Sequence, residues 1–356
     1  MFSHLGSPST SSYLTLPCML RQRITENNVV AIMLNHILVL LFISLCSLPL
    51  TASFSSNDTD HEALLAFKTA TNDPSSSLSS WNSSLPFCRW RGITCSTTRR
   101  RVTGLNLANL TLSGSISPHV GNLSFLRFLN LNNNSYAGSL PPELGRLTRI
   151  QHISLSNNLF EGELPASLSN CSNLLSLVVS YNRLGGALPL ELGSLSRLEL
   201  LAISRNAFSG SIPTTLGNLS SLVRLYCGSN GLAGGLPASL GRLSRLQLLA
   251  FGENMIAGLI PPSVFNLSKI TVFDLAANQI RGSLPSNLGI VFPNLEFFSV
   301  GINMLQGSIP PSFSNATSLG YIHVGYNQFT GEVPSFMKLN KLTLLGIFWG
   351  GEEQRI

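Results

Sequence analysis

Apolar and polar positions follow a pattern that returns about every 24 residues along most of this chain, a period typical of repeat proteins. The segment 195–213, LSRLELLAISRNAFSGSIP, shows the template L-x-x-L-x-x-L-x-L-x-x-N-x-L-x-G-x-I-P. The template asparagine keeps a constant spacing, apart from one step that is longer by a single residue, at Asn134, Asn158, Asn182, Asn206, Asn230, Asn254, Asn278, Asn303 and Asn327. Self-similarity at such a period predicts a solenoid, in which a repeat buries its apolar face only by stacking on its neighbours.

Each template position has a physical role, which the repeat ending at Pro213 illustrates. Leu201 and Ile203 alternate with small or polar residues, which predicts a short strand with one buried face. Asn206 follows at the turn after the strand, where its side chain is expected inside the solenoid. Because a buried amide needs hydrogen-bond partners, we expect stacked Asn side chains to bond the backbone of neighbouring turns. Gly210 permits a tight turn, and Pro213 stiffens the return. Spacing and period together indicate leucine-rich repeats, an α/β solenoid with parallel β-strands on its concave face.

The charge pattern excludes one class of function. Only 11% of the 356 residues are charged, and the formal net charge is +6. Lysines and arginines are scattered along the repeats, whereas a nucleic-acid-binding protein gathers them on one face, so we expect no nucleic-acid partner. The one basic cluster, Arg99, Arg100 and Arg101, precedes the first strand and is interpreted as a solvated turn.

Residues 1–53 are expected to direct the chain into the secretory pathway. The apolar run 29–50 contains a core, 37–50, with about the length of a signal-peptide hydrophobic region, and small residues follow at 51–53. Two interpretations compete: a signal peptide that starts at Met33 and is cleaved near residues 52–54, which we favour, or an uncleaved membrane anchor. Both place the remaining chain at the cell surface, on the plasma membrane, or outside the cell.

Residues 54–101 are predicted to form an N-terminal cap that begins with a helix. Thr59 with Glu62 three residues later is a capping-box signature, and an apolar pattern follows it. The pattern predicts a helix of about three turns that ends before Pro74.

Cysteines and tryptophans give the rest of the cap its expected structure. Cys88 and Cys95 lie close together in an exported protein, which favours a disulfide over a metal site. Trp81 and Trp90 are expected to cover the open apolar end of the first repeat. Within the repeats, Cys171 and Cys227 replace core leucines in different layers and are interpreted as buried thiols.

The cap carries a specific resemblance to a known family. Its segment EALLAFKTATNDPSSSLSSWNSSLPFCRWRGITC is similar to the N-terminal cap of plant leucine-rich-repeat receptor-like kinases, and in particular to the immune receptors typified by the EF-Tu receptor and the rice bacterial-blight resistance receptor. The G-x-I-P element of the repeats is the plant form, and the resemblance extends over about residues 58–345. It implies an extracellular solenoid, one membrane span and a cytoplasmic serine/threonine kinase, with a ligand that bridges the solenoid to a shorter co-receptor ectodomain.

The C-terminal part departs from that family pattern. About ten repeats occupy residues 102–345, and residues 346–356 form an off-pattern tail without a second cysteine pair. The sequence shows neither an apolar run of ~20 residues after the repeats nor the kinase motifs, so we expect no kinase activity and interpret the chain as a truncated ectodomain.

No catalytic constellation emerges from the sequence, and we expect neither a cofactor nor a metal. The histidines of the repeats, His119, His152 and His323, fall in separate turns of the solenoid. The function we expect is recognition of a peptide or protein ligand, and the resemblance implies a role in plant defence signalling. Two alternatives remain: a secreted inhibitor of a cell-wall-degrading enzyme, resembling polygalacturonase-inhibiting proteins, or a decoy fragment without signalling.

Acceptor motifs for N-glycosylation form the most regular set of candidate sites. They lie at Asn57, Asn82, Asn109, Asn122, Asn133, Asn170, Asn218, Asn266 and Asn315. The members from Asn122 onward, apart from Asn133, recur at every second repeat and share one template position away from the strand. Glycans there would cover one flank and leave the strand face open.

Candidate ligand-binding residues are the variable outward positions at and just after each predicted strand. They are Phe128, His152, Tyr181, Arg205, Arg224, Tyr226, Glu253, Asp274, Phe297, Tyr321, His323 and Tyr326. Aromatic residues and arginines are typical anchors at interfaces, although ordinary surface variation explains any single position equally well. We expect Arg205 and Arg224 to favour an acidic stretch of the ligand, and the adjacent Glu253 and Asp274 to favour a basic one.

Overall fold

The computed structural model describes residues 56–349 and 352–353. The expected signal segment, with its start at Met33 and its cleavage region at 52–54, lies outside the described residues, as does most of the tail.

The described chain is a solenoid built on two long sheets. Sheet A has twelve strands, of which the first pairs antiparallel with the second and the others are parallel. Its strands are Ile93–Cys95, Val102–Asn106, Phe128–Asn130, His152–Ser154, Ser176–Val178, Leu200–Ala202, Arg224–Tyr226, Leu248–Ala250, Val272–Asp274, Phe297–Ser299, Tyr321–His323 and Leu344–Gly346. Each repeat contributes one short strand, as the alternation of apolar residues predicts.

Sheet B has eleven strands and was not anticipated from the sequence. Its strands are Thr71–Asn72, Ser113–Gly114, Ser135–Ser139, Leu159–Glu163, Arg183–Ala187, Ala207–Ser211, Gly231–Gly234, Met255–Gly258, Gln279–Gly282, Met304–Gly307 and Gln328–Phe329. Apart from Thr71–Asn72, which belongs to the cap and pairs antiparallel, they coincide with the L-x-G segment of the template. Only one apolar residue of that segment points inward in each repeat, so the segment lacks the alternation that indicates a strand. A separate two-stranded pair joins Phe348–Trp349 to Glu352–Glu353.

In most repeats a short helical turn follows the strand of sheet B and leads to the next strand of sheet A. The turns of 3₁₀ type are Phe87–Arg89 in the cap and, in the repeats, Pro118–Asn122, Pro142–Arg146, Ala166–Asn170, Leu190–Ser194, Thr214–Asn218, Ala238–Arg242, Pro262–Asn266 and Pro311–Asn315. The template proline directly precedes most of these turns in extended conformation, as at Pro213 with φ −61° and ψ 130°. The longest repeat instead has an α-helical turn, Leu288–Val291.

The asparagine ladder expected from the sequence is confirmed. The Asn206 Nδ2 donates to the carbonyls of Ile203 in its own turn and Val179 in the preceding one, both at 3.0 Å. The Asn206 Oδ1 accepts from the Leu184 N–H at 3.0 Å. The same pattern recurs from Asn134 to Asn327, and it satisfies backbone groups that a leucine-lined interior would otherwise leave unpaired.

The cap begins with helix α1, Ser56–Thr69, which starts earlier than predicted. Thr59 lies inside the helix and is not its cap, so the capping-box prediction was wrong. Residues 55–60 are all Ser, Asn, Asp or Thr, each of which is a favourable cap, and sequence alone cannot choose among consecutive candidates. The helix ends before Pro74, as expected.

Aromatic packing and a disulfide complete the cap. Trp81 and Trp90 are buried in the same apolar core as the repeats and stack with ring centroids 5.3 Å apart. That they cover the end of the first repeat stays a prediction. Cys88 and Cys95 form a disulfide. Cys171 and Cys227 are buried free thiols, and burial raises the pKa of Cys171 to about 11.

Arg101 is not part of a solvated turn, contrary to the sequence-based interpretation. Its guanidinium forms a bidentate pair with the Asp60 carboxylate of α1, at 2.7 and 2.8 Å, and both side chains are buried. The Val102 N–H donates to the same carboxylate, which ties α1 to the first strand of the repeats. The Arg101 guanidinium also lies over the Phe125 ring, 4.5 Å from its centroid. Arg99 and Arg100 are exposed, as expected.

Candidate ligand-binding site

The outward positions of sheet A and the turn after it form three rows along the solenoid, which together we call the strand face. The first row contains Phe128, His152, Arg224, Phe297 and Tyr321, and the second row contains Tyr226, Asp274 and His323. The turn row, directly before each ladder asparagine, contains Tyr181, Arg205, Glu253 and Tyr326. All twelve candidates therefore lie on one face of the fold.

Positions of the turn row share an unusual backbone conformation. Each adopts a positive φ between 53° and 58°, whichever side chain it carries: Asn133, Asn157, Tyr181, Arg205, Ser229, Glu253, Ala277, Ile302 and Tyr326. The conformation turns the chain so that the next residue, the asparagine, enters the ladder. A positive φ is sterically unfavourable for a residue with a Cβ. The conformation therefore raises the free energy of the folded chain, and the surrounding structure imposes it.

Five candidates line one depression of about 420 Å³, which we call the central pocket. They are Arg205, Tyr226, Glu253, Asp274 and Phe297. Strand register explains the shape. Tyr226 and Asp274 flank Ala250 in the second row, so a small side chain separates two larger ones. With strands ~4.8 Å apart, the opening between the Tyr226 and Asp274 backbones is about 10 Å.

Sequence reasoning missed the small residues of the central pocket. Gly228, Ser229, Ala250, Gly252 and Ala276 line it together with the candidates. A Cβ on Gly252 would lie 2.8 Å from the Asp274 Oδ2, so this glycine leaves room for the carboxylate. The signal available in the sequence was Gly228, Gly252 and Ala276, three small residues at the same template position in consecutive repeats.

Negative charge gathers at one end of the central pocket. The Asp274 Oδ1 accepts from the Ala276 N–H at 3.1 Å, and the Glu253 Oε2 accepts from the Ser229 hydroxyl at 2.6 Å. Burial, and to a lesser extent the negative charge of Glu253, raises the pKa of Asp274 above its usual value, against the backbone hydrogen bond that lowers it. Across the described residues 56–349 and 352–353, no lysine or arginine forms an ion pair with either carboxylate.

The other candidates are distributed in smaller groups. Phe128 stacks on His152 with centroids 4.9 Å apart, and Phe297 stacks on Tyr321 at 4.2 Å. The Arg205 guanidinium carbon lies 5.3 Å from the centroid of the Tyr181 ring. Arg224 and Tyr326 are exposed and lie outside the central pocket.

His323 is half-buried against its neighbouring repeats. Its imidazole lies over Gly301, where a Cβ would collide with the ring, and its Nδ1 is 3.5 Å from the Ser299 hydroxyl. Burial lowers the pKa of His323, which favours the neutral imidazole at neutral pH. His323 therefore contributes to the shape of the strand face and adds little charge to it.

Acceptor asparagines of the regular glycosylation set lie at the ends of 3₁₀ turns, away from the strand face. Asn122, Asn170, Asn218, Asn266 and Asn315 are each the last residue of such a turn. All are exposed except Asn122, which is half-buried. Their occupancy stays a prediction.

The remaining acceptor asparagines differ in their surroundings. The Asn133 Nδ2, the atom that a glycan would modify, donates to the Asn109 Oδ1 at 2.8 Å, and both residues adopt the positive φ of the turn row. Asn82 is exposed in the cap, and Asn57 falls in α1 with a side chain outside the described part.

Neither a metal centre nor a membrane span was found in the part of the chain that the structure describes. No three His, Cys, Asp or Glu side chains of that part lie together as metal ligands would. Its helices are all too short or too polar to cross a bilayer.

Together, the capped stack of repeats, the asparagine ladder and the open strand face define a leucine-rich-repeat recognition domain of the plant type. Family models agree: residues 57–96 match a leucine rich repeat N-terminal domain, and residues 101–225 match a leucine-rich-repeat region.

Comparisons with known proteins identify homologues of that domain. The chain is 54% identical over 76 residues to the LRR receptor-like serine/threonine-protein kinase EFR of Arabidopsis thaliana, a match that covers 21% of the chain and 7% of that protein. The ectodomain of the Arabidopsis receptor kinase GASSHO1/SCHENGEN3, solved with CASPARIAN STRIP INTEGRITY FACTOR 2, superposes with a TM-score of 0.75 at 36% identity, over 77% of this chain and 33% of that one. The Arabidopsis receptor kinase HAESA, solved with the peptide hormone IDA and the co-receptor SERK1, superposes with a TM-score of 0.74 at 34% identity, over 82% and 49%.

The chain is a leucine-rich-repeat protein whose homologues are plant leucine-rich-repeat receptor-like kinases, and it corresponds to part of their ectodomain. Its matches span far less than two thirds of those relatives. The residues matched by family models belong to a leucine-rich-repeat N-terminal domain and a leucine-rich-repeat region, and neither of these two models describes a kinase domain.

Proposed function

We propose that this chain recognises an extracellular peptide or protein ligand through its strand face, as the ectodomain part of a plant receptor. The observation that carries the proposal is the central pocket. It combines aromatic side chains, both signs of charge and a floor of small residues in an open position on a rigid sheet. Such a combination is typical of binding sites, which join apolar walls to a few placed polar groups.

Structural neighbours support a peptide as the ligand. The HAESA and GASSHO1/SCHENGEN3 ectodomains were solved with a peptide hormone and with CASPARIAN STRIP INTEGRITY FACTOR 2. By analogy, the bound ligand bridges the strand face to a co-receptor ectodomain, as the presence of SERK1 in the HAESA complex suggests. The resemblance of the cap to the immune-receptor group favours a role in defence signalling.

The proposed setting is the outside of the cell. An N-terminal signal peptide or anchor, the Cys88–Cys95 disulfide and the exposed acceptor asparagines all suit an exported glycoprotein. Membrane attachment would come through the N-terminal apolar segment or through a C-terminal span in the longer relatives' manner.

Selection from a displayed library of random 12-residue peptides tests the proposed function. The wild-type chain should yield binders whose affinity falls at least about tenfold, or ~1.4 kcal/mol, when Ala250→Trp fills the central pocket. Ser209→Trp is the matched control, because Ser209 is exposed on sheet B. It should leave the dissociation constant unchanged.

Three results bear on the proposal. Failure of the wild-type chain to select any peptide, or equal losses from the two variants, would overturn strand-face recognition. A second library, made of overlapping peptides from microbial and plant proteins, tests the defence role. That role requires that the microbial peptides be enriched over the plant peptides.

A further inference from the structure

The acidic end of the central pocket lacks a counter-charge, and this determines what it can bind. Asp274 is half-buried, receives one backbone hydrogen bond and lies near a second carboxylate, Glu253. Neither has an ion-pair partner within the described residues. A partly desolvated pair of like charges is unfavourable in the free protein, and a cation placed between them removes that cost.

The surrounding walls restrict the kind of cation. Phe297 and Tyr226 line the central pocket together with Leu248 and Val272, which precede Phe297 in the first row. Aliphatic and aromatic surface beside two carboxylates suits a cation on a long methylene stem, because the stem packs on the walls while the charged head reaches the carboxylates. A bare metal ion gains nothing from such walls and prefers more oxygen ligands than this end offers.

We propose that the central pocket accepts a lysine or arginine side chain of the ligand, held by Asp274 and Glu253. This inference rests on the proposed function, since it names the part of the peptide that the strand face reads. The opening above Ala250, between Tyr226 and Asp274, admits the stem, and the absence of a side chain on Gly252 keeps the Asp274 carboxylate in place.

Arg205 at the opposite rim extends the inference to a second ligand residue. Arg205 and Glu253 both belong to the turn row and are two repeats apart, which places their backbones about 10 Å from each other. An extended peptide advances ~3.3 Å per residue, so this distance corresponds to about three residues. The ligand that fits both ends carries an acidic residue about three positions from the basic one.

The experiment uses the same random 12-residue library, selected on three versions of the chain. Wild type should enrich Lys or Arg at one position of the aligned binders, with Asp or Glu about three positions away. The double variant Glu253→Gln with Asp274→Asn should lose the basic enrichment while it still selects peptides. Glu161→Gln is the matched control, because Glu161 is an exposed acid of sheet B, and it should select as wild type does.

Calorimetry on the strongest wild-type binder then measures the contact directly. Replacing the enriched lysine by norleucine, which keeps the stem and removes the charge, should weaken binding to wild type at least about tenfold. The same replacement should change binding to the double variant by less than about twofold, since the coupled partner is already gone. Arg205→Gln should abolish only the acidic enrichment.

Failure of this inference is distinguishable from failure of the proposed function. Binders without a basic position, or equal norleucine effects in wild type and the double variant, would overturn the inference while strand-face recognition stands. If no peptide binds wild type, the proposed function fails as well. Thermal melting separates these outcomes from misfolding, because the double variant removes two unpaired charges and should melt no lower than wild type.

Discussion

At the scale of single residues, the turn row shows how the fold imposes a conformation whatever the side chain. Asparagine suits a positive φ best among residues with a Cβ, and Asn133 and Asn157 occupy the row in the early repeats. Later repeats carry Glu253 or Ile302 there instead, at φ 57° in both. The row therefore presents different side chains at strained positions, and the strain lowers the stability of the folded chain.

Ile302 gives the clearest test of that cost. Its side chain is β-branched and 51% exposed, so its φ of 57° is strained while little apolar burial compensates. Ile302→Asn should stabilise the chain by about 1 kcal/mol, measured as an increase in the free energy of unfolding in urea. Ile290→Asn is the control, because Ile290 is 61% exposed in an ordinary α-helical turn. Equal effects of the two changes would show that the backbone conformation is not the cause.

At the scale of elements, a single additional residue changes the type of a turn. The interval between Asn278 and Asn303 is longer than the others by that one residue, and its connecting turn is α-helical where those of the repeats on either side, Pro262–Asn266 and Pro311–Asn315, are 3₁₀. There the Phe292 N–H bonds the Leu288 carbonyl, four residues back, whereas the Leu267 N–H of the preceding repeat bonds Val264, three back. The wider turn absorbs the insertion, so the strands on either side keep their register.

The attachment of α1 to the repeats also depends on one contact between elements. Removing one partner of a buried ion pair leaves an uncompensated charge, so Asp60→Asn should destabilise the chain by roughly 3–5 kcal/mol. The loss should appear first as protease cleavage within the cap and as a lower melting temperature. Glu143→Gln breaks the exposed pair with Arg146, at 3.9 Å, and should cost less than about 0.5 kcal/mol. A small effect of Asp60→Asn would mean that the Trp81–Trp90 stack holds the cap without the ion pair.

At the scale of the whole molecule, the repeats make the solenoid divisible into equal units. Deleting residues 159–182 removes one full period and joins Asn158 to Arg183, which occupies the same template position as Leu159. Because each repeat contacts only its neighbours, the shortened chain should fold, keep its far-ultraviolet circular dichroism per residue and bind the selected peptides as before. Its melting temperature should fall only modestly.

A deletion out of phase provides the control. Removing residues 159–178 takes out less than one full period, so the asparagines and leucines on the two sides no longer match and stacking fails. This variant should be insoluble or lack cooperative melting. If the full-period deletion behaved in the same way, the nearest-neighbour description of this solenoid would be wrong.

The sequence alone determined the features that repeat. A constant period, with apolar residues at fixed positions, requires stacking, and a template asparagine inside an apolar stack requires backbone partners. The strands of sheet A, the ladder, the buried thiols and the common face of the twelve candidates all follow from position within the template. Each depends only on local pattern and on the identity of neighbouring repeats.

The tertiary structure alone decided the features that depend on pairs of distant residues. Asp60 and Arg101 are 41 positions apart, and nothing in the local pattern of either indicates that they meet in a buried pair. Tyr226, Ala250 and Asp274 become the wall and floor of one pocket only through the register of three parallel strands. Register and burial arise from packing of the whole stack. The sequence could therefore indicate the candidate binding surface, whereas only the fold could show which charges on that surface lack partners.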